Sequence, residues 1–445
     1  GGSSRRLLRN EVQAMLLDEY RPGPFHLTRA KYKPGRKLLA YFTFPVLDAA
    51  GKLCNSLHLA VTWGQTLDGT NKAGEWSRLQ EEANEAGLMP VQRELQRDLF
   101  DGELKLQLWP FDPAFPHLVR LGNPAYVVQL LTTLGLVHDL KQLPVITPIR
   151  YRPKERHVLR YEIHSPDAIP GGGKRLYAKL YTNAQDAVRA FGVAQRVVDW
   201  LGANNVGLQG NGPEVMSHED HVIFYPHAPG IPLSQQLHRS RRWLATQLLI
   251  IGKALAILHN GPEALKTDLK QNDFAKEAKV VRRASEHIQV LLPEAYDKIL
   301  QILDKAQERY SSLHQEPPTF THADFKADHL LSTPQGLTLI DFDTCTLTDP
   351  ALDIGKFLAD LEWWFTLKGI PGVEEAQAEL LKGYAGEGKP DQTMDERLRR
   401  ARLYHVLILT KITARRVQIY KTEWGALTRG MIERAAAVLQ NAISE

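Results

Sequence analysis

Cysteine is nearly absent from this 445-residue chain; the two present, Cys54 and Cys345, stand far apart and in no Cys-x-x-Cys or Cys/His spacing. A disulfide framework and a thiolate zinc site are thereby excluded, and a reducing compartment, the cytoplasm, is expected. No apolar run approaches the ~20 residues that a membrane-crossing helix needs. The opening Gly1-Gly2-Ser3-Ser4-Arg5-Arg6 lacks the apolar centre of a secretion signal, and its first four residues read as an expression remnant. No long run of Lys or Arg occurs, and 55 basic against 51 acidic residues leave a net charge of +4, too little and too dispersed for a nucleic-acid-coating surface. Membrane and nucleic acid are both poor partners for such a chain, and nothing in the pattern speaks to oligomeric state.

What is present is enough apolar sequence for two or three domains. Residues 25–109 alternate short strand-like runs, such as 37–44 and 56–63, with turns and one polar helical stretch at 75–86, which predicts a small α+β unit. An apolar helical repeat at 123–140 stops before Pro144 and places a boundary there. A second strand-rich block follows, with strands expected at 145–150, 158–163 and 175–181, a Pro/Gly-rich loop at 166–173, and a helix at 184–201. Beyond residue 232 the texture changes to long amphipathic helices, expected at 241–259, 262–313 (more than one helix), 373–385 and 394–423. The domains expected are thus 1–144, 145–232 and 233–445. The segment from Lys31 to Tyr41 echoes that from Arg150 to Tyr161, each a basic hairpin around a Pro turn, which would make the first sheet a degenerate copy of the second.

Chemistry concentrates in Thr321-His322-Ala323-Asp324-Phe325-Lys326-Ala327-Asp328-His329, then Ile340-Asp341-Phe342-Asp343, then Asp349-Pro350-Ala351-Leu352-Asp353. Short strands at 329–332 and 337–340, joined by Thr333-Pro334-Gln335-Gly336, would bring Asp324 and Asp341 to one end of a hairpin. Two carboxylates at a hairpin mouth suit a divalent cation. Phosphoryl transfer asks for an oriented hydroxyl, neutralised phosphates and a cation on the moving group. Asp324 would orient the hydroxyl and take its proton, Asp341 would hold the metal, and Lys326 would face the phosphoryl.

These segments resemble the catalytic and metal-binding loops of the aminoglycoside phosphotransferase and choline kinase superfamily, relatives of protein kinases. His322 and Asp324 fit its His-x-Asp pair, Asp341-Phe342-Asp343 its metal motif, and Asp349-Pro350-Ala351-x-Asp353 the element that follows. The resemblance implies an α+β, bilobal protein-kinase-like fold, with a β-rich lobe and a helical lobe, preceded here by a small α+β cap domain. It further implies ATP and Mg²⁺ as cofactors and a small-molecule hydroxyl as acceptor, on a sugar, amino sugar, aminoglycoside or amino alcohol. Asp324, with His322 and Lys326, would be catalytic; Asp341 and Asp343 would bind metal; Asp353 would be structural or face the substrate. Lys179, a lone cation on an apolar strand, resembles the ATP-anchoring lysine, with Gln195 standing in for its usual helical Glu. No Gly-rich loop precedes Lys179, so Arg152 and Arg156 of the 150–156 hairpin would cover the phosphates. Trp363 and Trp364 offer aromatic faces for a flat acceptor, core packing being the equal alternative.

His329 departs from the superfamily, which usually has Asn at that position. As a metal ligand, an imidazole is a weaker partner for hard Mg²⁺, which would shift preference toward Mn²⁺ or lower activity, with neighbouring Asp328 as an alternative ligand. Together with the absent Glu, it keeps two alternatives open: a nucleotide-binding pseudokinase or regulatory protein, and transfer of a nucleotidyl group.

Overall fold

The computed structural model describes residues 2–64, 73–138, 140, 142–163, 173–386 and 392–444. The expected Pro/Gly-rich loop at 166–173 lies, except for Gly173, outside the described residues. Two compact units emerge, one of residues 1–188 with 213–227 and the other of 189–212 with 228–445.

The first unit holds both strand-rich blocks, and packing explains why. Leu39, Tyr41 and Ala60 of the first sheet share one apolar cluster with Leu159, Tyr161, Ala178 and Phe224 of the second, bridged by Leu118, Leu121 and Leu131. A buried polar clamp adds to it. Asp112 accepts from the Lys154 backbone N–H at 2.8 Å and lies 2.7 Å from His157 Nε2, while the Tyr151 hydroxyl donates to the Phe111 carbonyl at 2.6 Å. The hairpin carrying Arg152 and Arg156 is thus fixed at its turn by the N-terminal segment, with Lys31 paired to Glu155 at 2.9 Å.

The echo between the two blocks is visible in their topology. In the first sheet His26–Lys33 pairs with Lys37–Leu47, then come Leu53–Trp63, Leu104–Leu108 and Gln96–Leu99. In the second, Val145–Arg152 pairs with Arg156–Ile163, then Lys174–Leu180, Val222–Pro226 and Val215–Ser217. Each path is a hairpin, a third antiparallel strand and a final hairpin whose second strand completes the pairing. Both opening hairpins turn through a left-handed residue after proline, Gly35 at φ 64° and Lys154 at φ 64°. Glycine takes that conformation freely, whereas Lys154 carries a strain of order 1 kcal/mol and has its N–H held by Asp112.

The second unit is mainly helical, and its long helices include Arg241–His259, Pro293–Ser312, Ala351–Lys368, Val373–Ala385, Gln392–Arg416 and Trp424–Ser444. Arg241–His259 forms where expected because Ser240 caps Trp243 N and Leu244, Leu248, Ile251, Leu255 and Leu258 recur at helical spacing on a buried face. The expected 394–423 helix ends earlier, at Arg416, and Trp424–Ser444 follows it. Ala351–Lys368 packs closely on Gln392–Arg416 because Gly355 presents no Cβ to the Ala401 carbonyl. A four-stranded sheet (Leu208–Gly210, Gly336–Leu339, Leu330–Thr333, Ile231–Pro232) and the pair Thr319–Thr321 with Thr346–Thr348 complete the unit. No helix among the described residues is long and apolar enough to cross a membrane.

Candidate active site

The chain from His322 to Cys345 is anchored at both ends, because Thr319–Thr321 pairs antiparallel with Thr346–Thr348. Within it, the hairpin Leu330–Thr333 and Gly336–Leu339 forms one residue away from the expected bounds and returns Asp341 toward Asp324. Two turns near its mouth are left-handed, Ala323 at φ 57° and Asp341 at φ 67°. For residues with a Cβ this costs roughly 1–2 kcal/mol each, so the surroundings must hold them.

Asp324, His329 and Asp341 each place one ligand atom within 4.8 Å of the others. His329 spans the carboxylates, with Nδ1 3.7 Å from Asp324 Oδ2 and Nε2 3.6 Å from Asp341 Oδ2. Its Nδ1 is a buried atom without a hydrogen-bond partner among the described residues. An orphaned nitrogen facing carboxylate oxygens is a donor set that fits a divalent cation. Burial pushes the imidazole down to about 3, against the pull of Asp324, so it is the neutral, metal-binding form. Asp343, expected as a further ligand, sits in the tight turn Phe342–Thr344 and does not join this cluster.

Lysines hold both oxygens of Asp324, Lys326 at 2.6 Å on Oδ2 and Lys356 at 2.8 Å on Oδ1. Burial alone would raise this carboxyl, but the charges of Lys356 and Lys326 hold it well below the usual carboxylate range. Lys356 was not legible as a site residue. It lies on Ala351–Lys368, whose polar stripe runs beneath the whole loop. Asp353 accepts from the backbone N–H of His322 at 2.6 Å and of Ala323 at 2.7 Å; Lys356 pairs with Asp324; Asp360 accepts from Ala327 N at 2.9 Å. Residues 353, 356 and 360 recur every three or four positions, so one helix face shapes the loop turn by turn.

Several expected roles change under this geometry. Asp353 is 0% exposed and its oxygens are occupied by the loop backbone and His259, so it is a framework carboxylate rather than one facing substrate. His322 is also 0% exposed; its Nδ1 accepts from Asp324 N and its Nε2 lies 3.3 Å from the Ile340 carbonyl. It braces the two loops through these contacts. Trp363 is 3% exposed and belongs to the apolar core, which removes it as a stacking surface. Trp364 is half-buried, with Lys368 Nζ 5.2 Å and the Arg416 guanidinium 5.6 Å from its ring centroid. In the first unit, Lys179 is buried mid-strand between Val158 and Ile223, while Arg152 and Arg156 are half-buried at the clamped hairpin. Burial, followed by Arg29 and Arg150, lowers Arg152 to about 10. Gln195 is exposed on Ala184–Asn204.

The family model described as the phosphotransferase enzyme family matches residues 169–395, half of the chain and all of the loop just described. The chain belongs to this family. It is a small-molecule kinase by that membership. Among solved structures, a choline kinase from Cryptosporidium parvum Iowa II is similar at 12% identity and TM-score 0.50, over 72% of this chain and 96% of that one. A choline/ethanolamine kinase family protein from Mesorhizobium loti has 15% identity and TM-score 0.45, covering 71% and 95%. A macrolide 2'-phosphotransferase from Brachybacterium faecium has 18% identity and TM-score 0.42, covering 70% and 97%. At such identities the likeness to the first shows the protein-kinase-like fold and nothing finer. No curated protein matches the chain.

Proposed function

We propose that this phosphotransferase moves the terminal phosphoryl group of ATP to a hydroxyl of a small molecule, a sugar, amino sugar, aminoglycoside or amino alcohol, in the cytoplasm. The observation that carries the proposal is the convergence of Asp324, His329 and Asp341 within 4.8 Å, beside two lysines on Asp324. A divalent ion held by Asp341, His329 and Asp324 would neutralise charge on the nucleotide phosphates; the imidazole in the set favours Mn²⁺ beside Mg²⁺.

Asp324 orients the acceptor hydroxyl and takes its proton as the new oxygen–phosphorus bond forms and the bond to the bridging oxygen breaks, releasing ADP. Lys326 shifts from Asp324 Oδ2 to the moving phosphoryl group, which frees that oxygen for the proton. Lys356 remains on Oδ1 and keeps the carboxylate ionised until then. Lys179, Arg152 and Arg156 are proposed as nucleotide-phosphate contacts on their chemistry.

A second reading, nucleotide binding without transfer, is favoured by the engagement of both Asp324 oxygens by lysines. Incubation with ATP and a panel of hydroxyl acceptors, followed by mass spectrometry, separates the cases. Acceptor-dependent ADP release with a product heavier by one phosphoryl group is expected. ATP binding without any product would favour the second reading, and a product heavier by AMP would mean nucleotidyl transfer.

A further inference from the structure

A cavity of about 220 Å³ is lined by residues of Leu53–Trp63, Val145–Arg152 and the segments around Leu88, Gln92 and Trp109, all within the first unit. Two nitrogen donors of its lining are unanswered. Gln92 is 3% exposed, and its Oε1 accepts from the Val91 N–H at 3.2 Å. That bond fixes which way the amide faces, and it leaves Nε2 buried with no hydrogen-bond partner among the described residues. The indole Nε1 of Trp109 is likewise buried and unpartnered among them. Its ring has little freedom to turn away, because the Trp109 backbone N–H donates to the His58 carbonyl at 3.1 Å and a Cβ on Gly122 would lie only 3.2 Å from Cζ2. Native proteins leave few buried donors unpaired, so two on one cavity ask for oxygen within it.

Water alone answers the donors but not the remaining wall. Each water takes about 30 Å³ of the liquid, so the two needed leave most of the space facing carbon they cannot bond, from Leu57, Leu88, Ile146 and Pro148. A molecule with oxygens on one side and C–H groups on another suits both parts of such a pocket. His58 adds a third polar element to the lining. Burial lowers its imidazole from the ordinary value, so at neutral pH the ring is uncharged and one nitrogen accepts a hydrogen bond. Oxygens that receive from two N–H groups, beside one that donates to an imidazole, describe hydroxyl groups. We propose that this cavity is a second small-molecule site, binding a compact polyhydroxyl compound, a linear polyol or a single sugar ring, through Gln92, Trp109 and His58. The exposed Ser56 marks the side of the lining that meets solvent. The site belongs to the first unit, whereas Asp324, His329 and Asp341 belong to the second, and it does not depend on the phosphotransferase reading.

The test titrates erythritol, xylitol, myo-inositol and D-glucose into the full chain without nucleotide, following the ¹⁵N-indole resonances by NMR. The Trp109 signal is assigned by its disappearance in Trp109→Phe. At least one compound is expected to move that signal to saturation with a Kd of about 1 mM or tighter. Gln92→Glu keeps an acceptor for the Val91 N–H but removes the donor, and is expected to weaken that compound by about 10-fold. Trp109→Phe, read by calorimetry, is expected to weaken it as much. Thermal melting checks that each variant is folded; should Gln92→Glu not fold, Trp109→Phe decides alone. No saturable movement with any of the four compounds, saturation only above about 10 mM, or a Kd within about twofold of wild type in a folded variant of either kind overturns the proposal. Such a result would make the cavity a water pocket and leave the reading of the catalytic site intact.

Discussion

Asp324→Asn is expected to lower kcat by about 10³-fold while leaving the nucleotide Kd within about twofold, the loss typical of removing a positioned general base. Asn keeps an oxygen for one of the two lysines and nearly the same volume, so the fold should survive. Stopped assays of ADP release with the best acceptor, beside nucleotide titration calorimetry, provide the measurement. A loss under about 10-fold would place the proton acceptor elsewhere. The electrostatics set a further expectation. Because the folded carboxyl lies well below its ordinary value, despite burial, through Lys356 and Lys326, the wild-type group stays ionised into acid. Its contribution to stability is complete above the unfolded carboxylate value of about 3.9 and fades as pH falls through the lower folded one. Wild type should therefore lose stability relative to Asp324→Asn only at pH below about 4.

Asp353→Ala is expected to cost about 3–5 kcal/mol and lower the melting temperature by roughly 10 °C. The substitution strands two backbone N–H groups, of His322 and Ala323, that now donate to this buried carboxylate at 2.6 and 2.7 Å. It also releases Ala323 from the support of its left-handed turn, so activity should fall with the fold. Differential scanning calorimetry and kinetics on the same sample distinguish the two roles open to this residue. An unchanged melting temperature with a raised acceptor KM would restore Asp353 to the substrate-facing role that the linear motif allows.

What was legible in the sequence follows from how far apart the cooperating residues lie. Asp324, His329 and Asp341 sit on two ends of one short hairpin, so turn chemistry at Pro334 and Gly336 was enough to bring them together. Lys356 and Asp360 were invisible because the helix bearing them is buried nearly all round, its charged residues included. Amphipathic periodicity marks a helix with one wet face, and this helix has little of one. The same burial explains Trp363, whose neighbour Trp364 lies at the edge of the core while it lies within. In the N-terminal block, the strands and basic hairpins could be read from alternation and turn residues. The Asp112 and His157 clamp could not, since 45 residues separate its members and neither stands in a motif.

Anomalous diffraction at the manganese edge, from crystals grown with ADP and Mn²⁺, shows whether Asp324, His329 and Asp341 hold the ion. The expected result is an ion within coordination distance of Asp341, His329 and Asp324, with His329→Asn retaining the site but favouring Mg²⁺ over Mn²⁺ relative to wild type. A nucleotide-loaded protein with no ion among these three side chains, or with its ion on other residues, would contradict it.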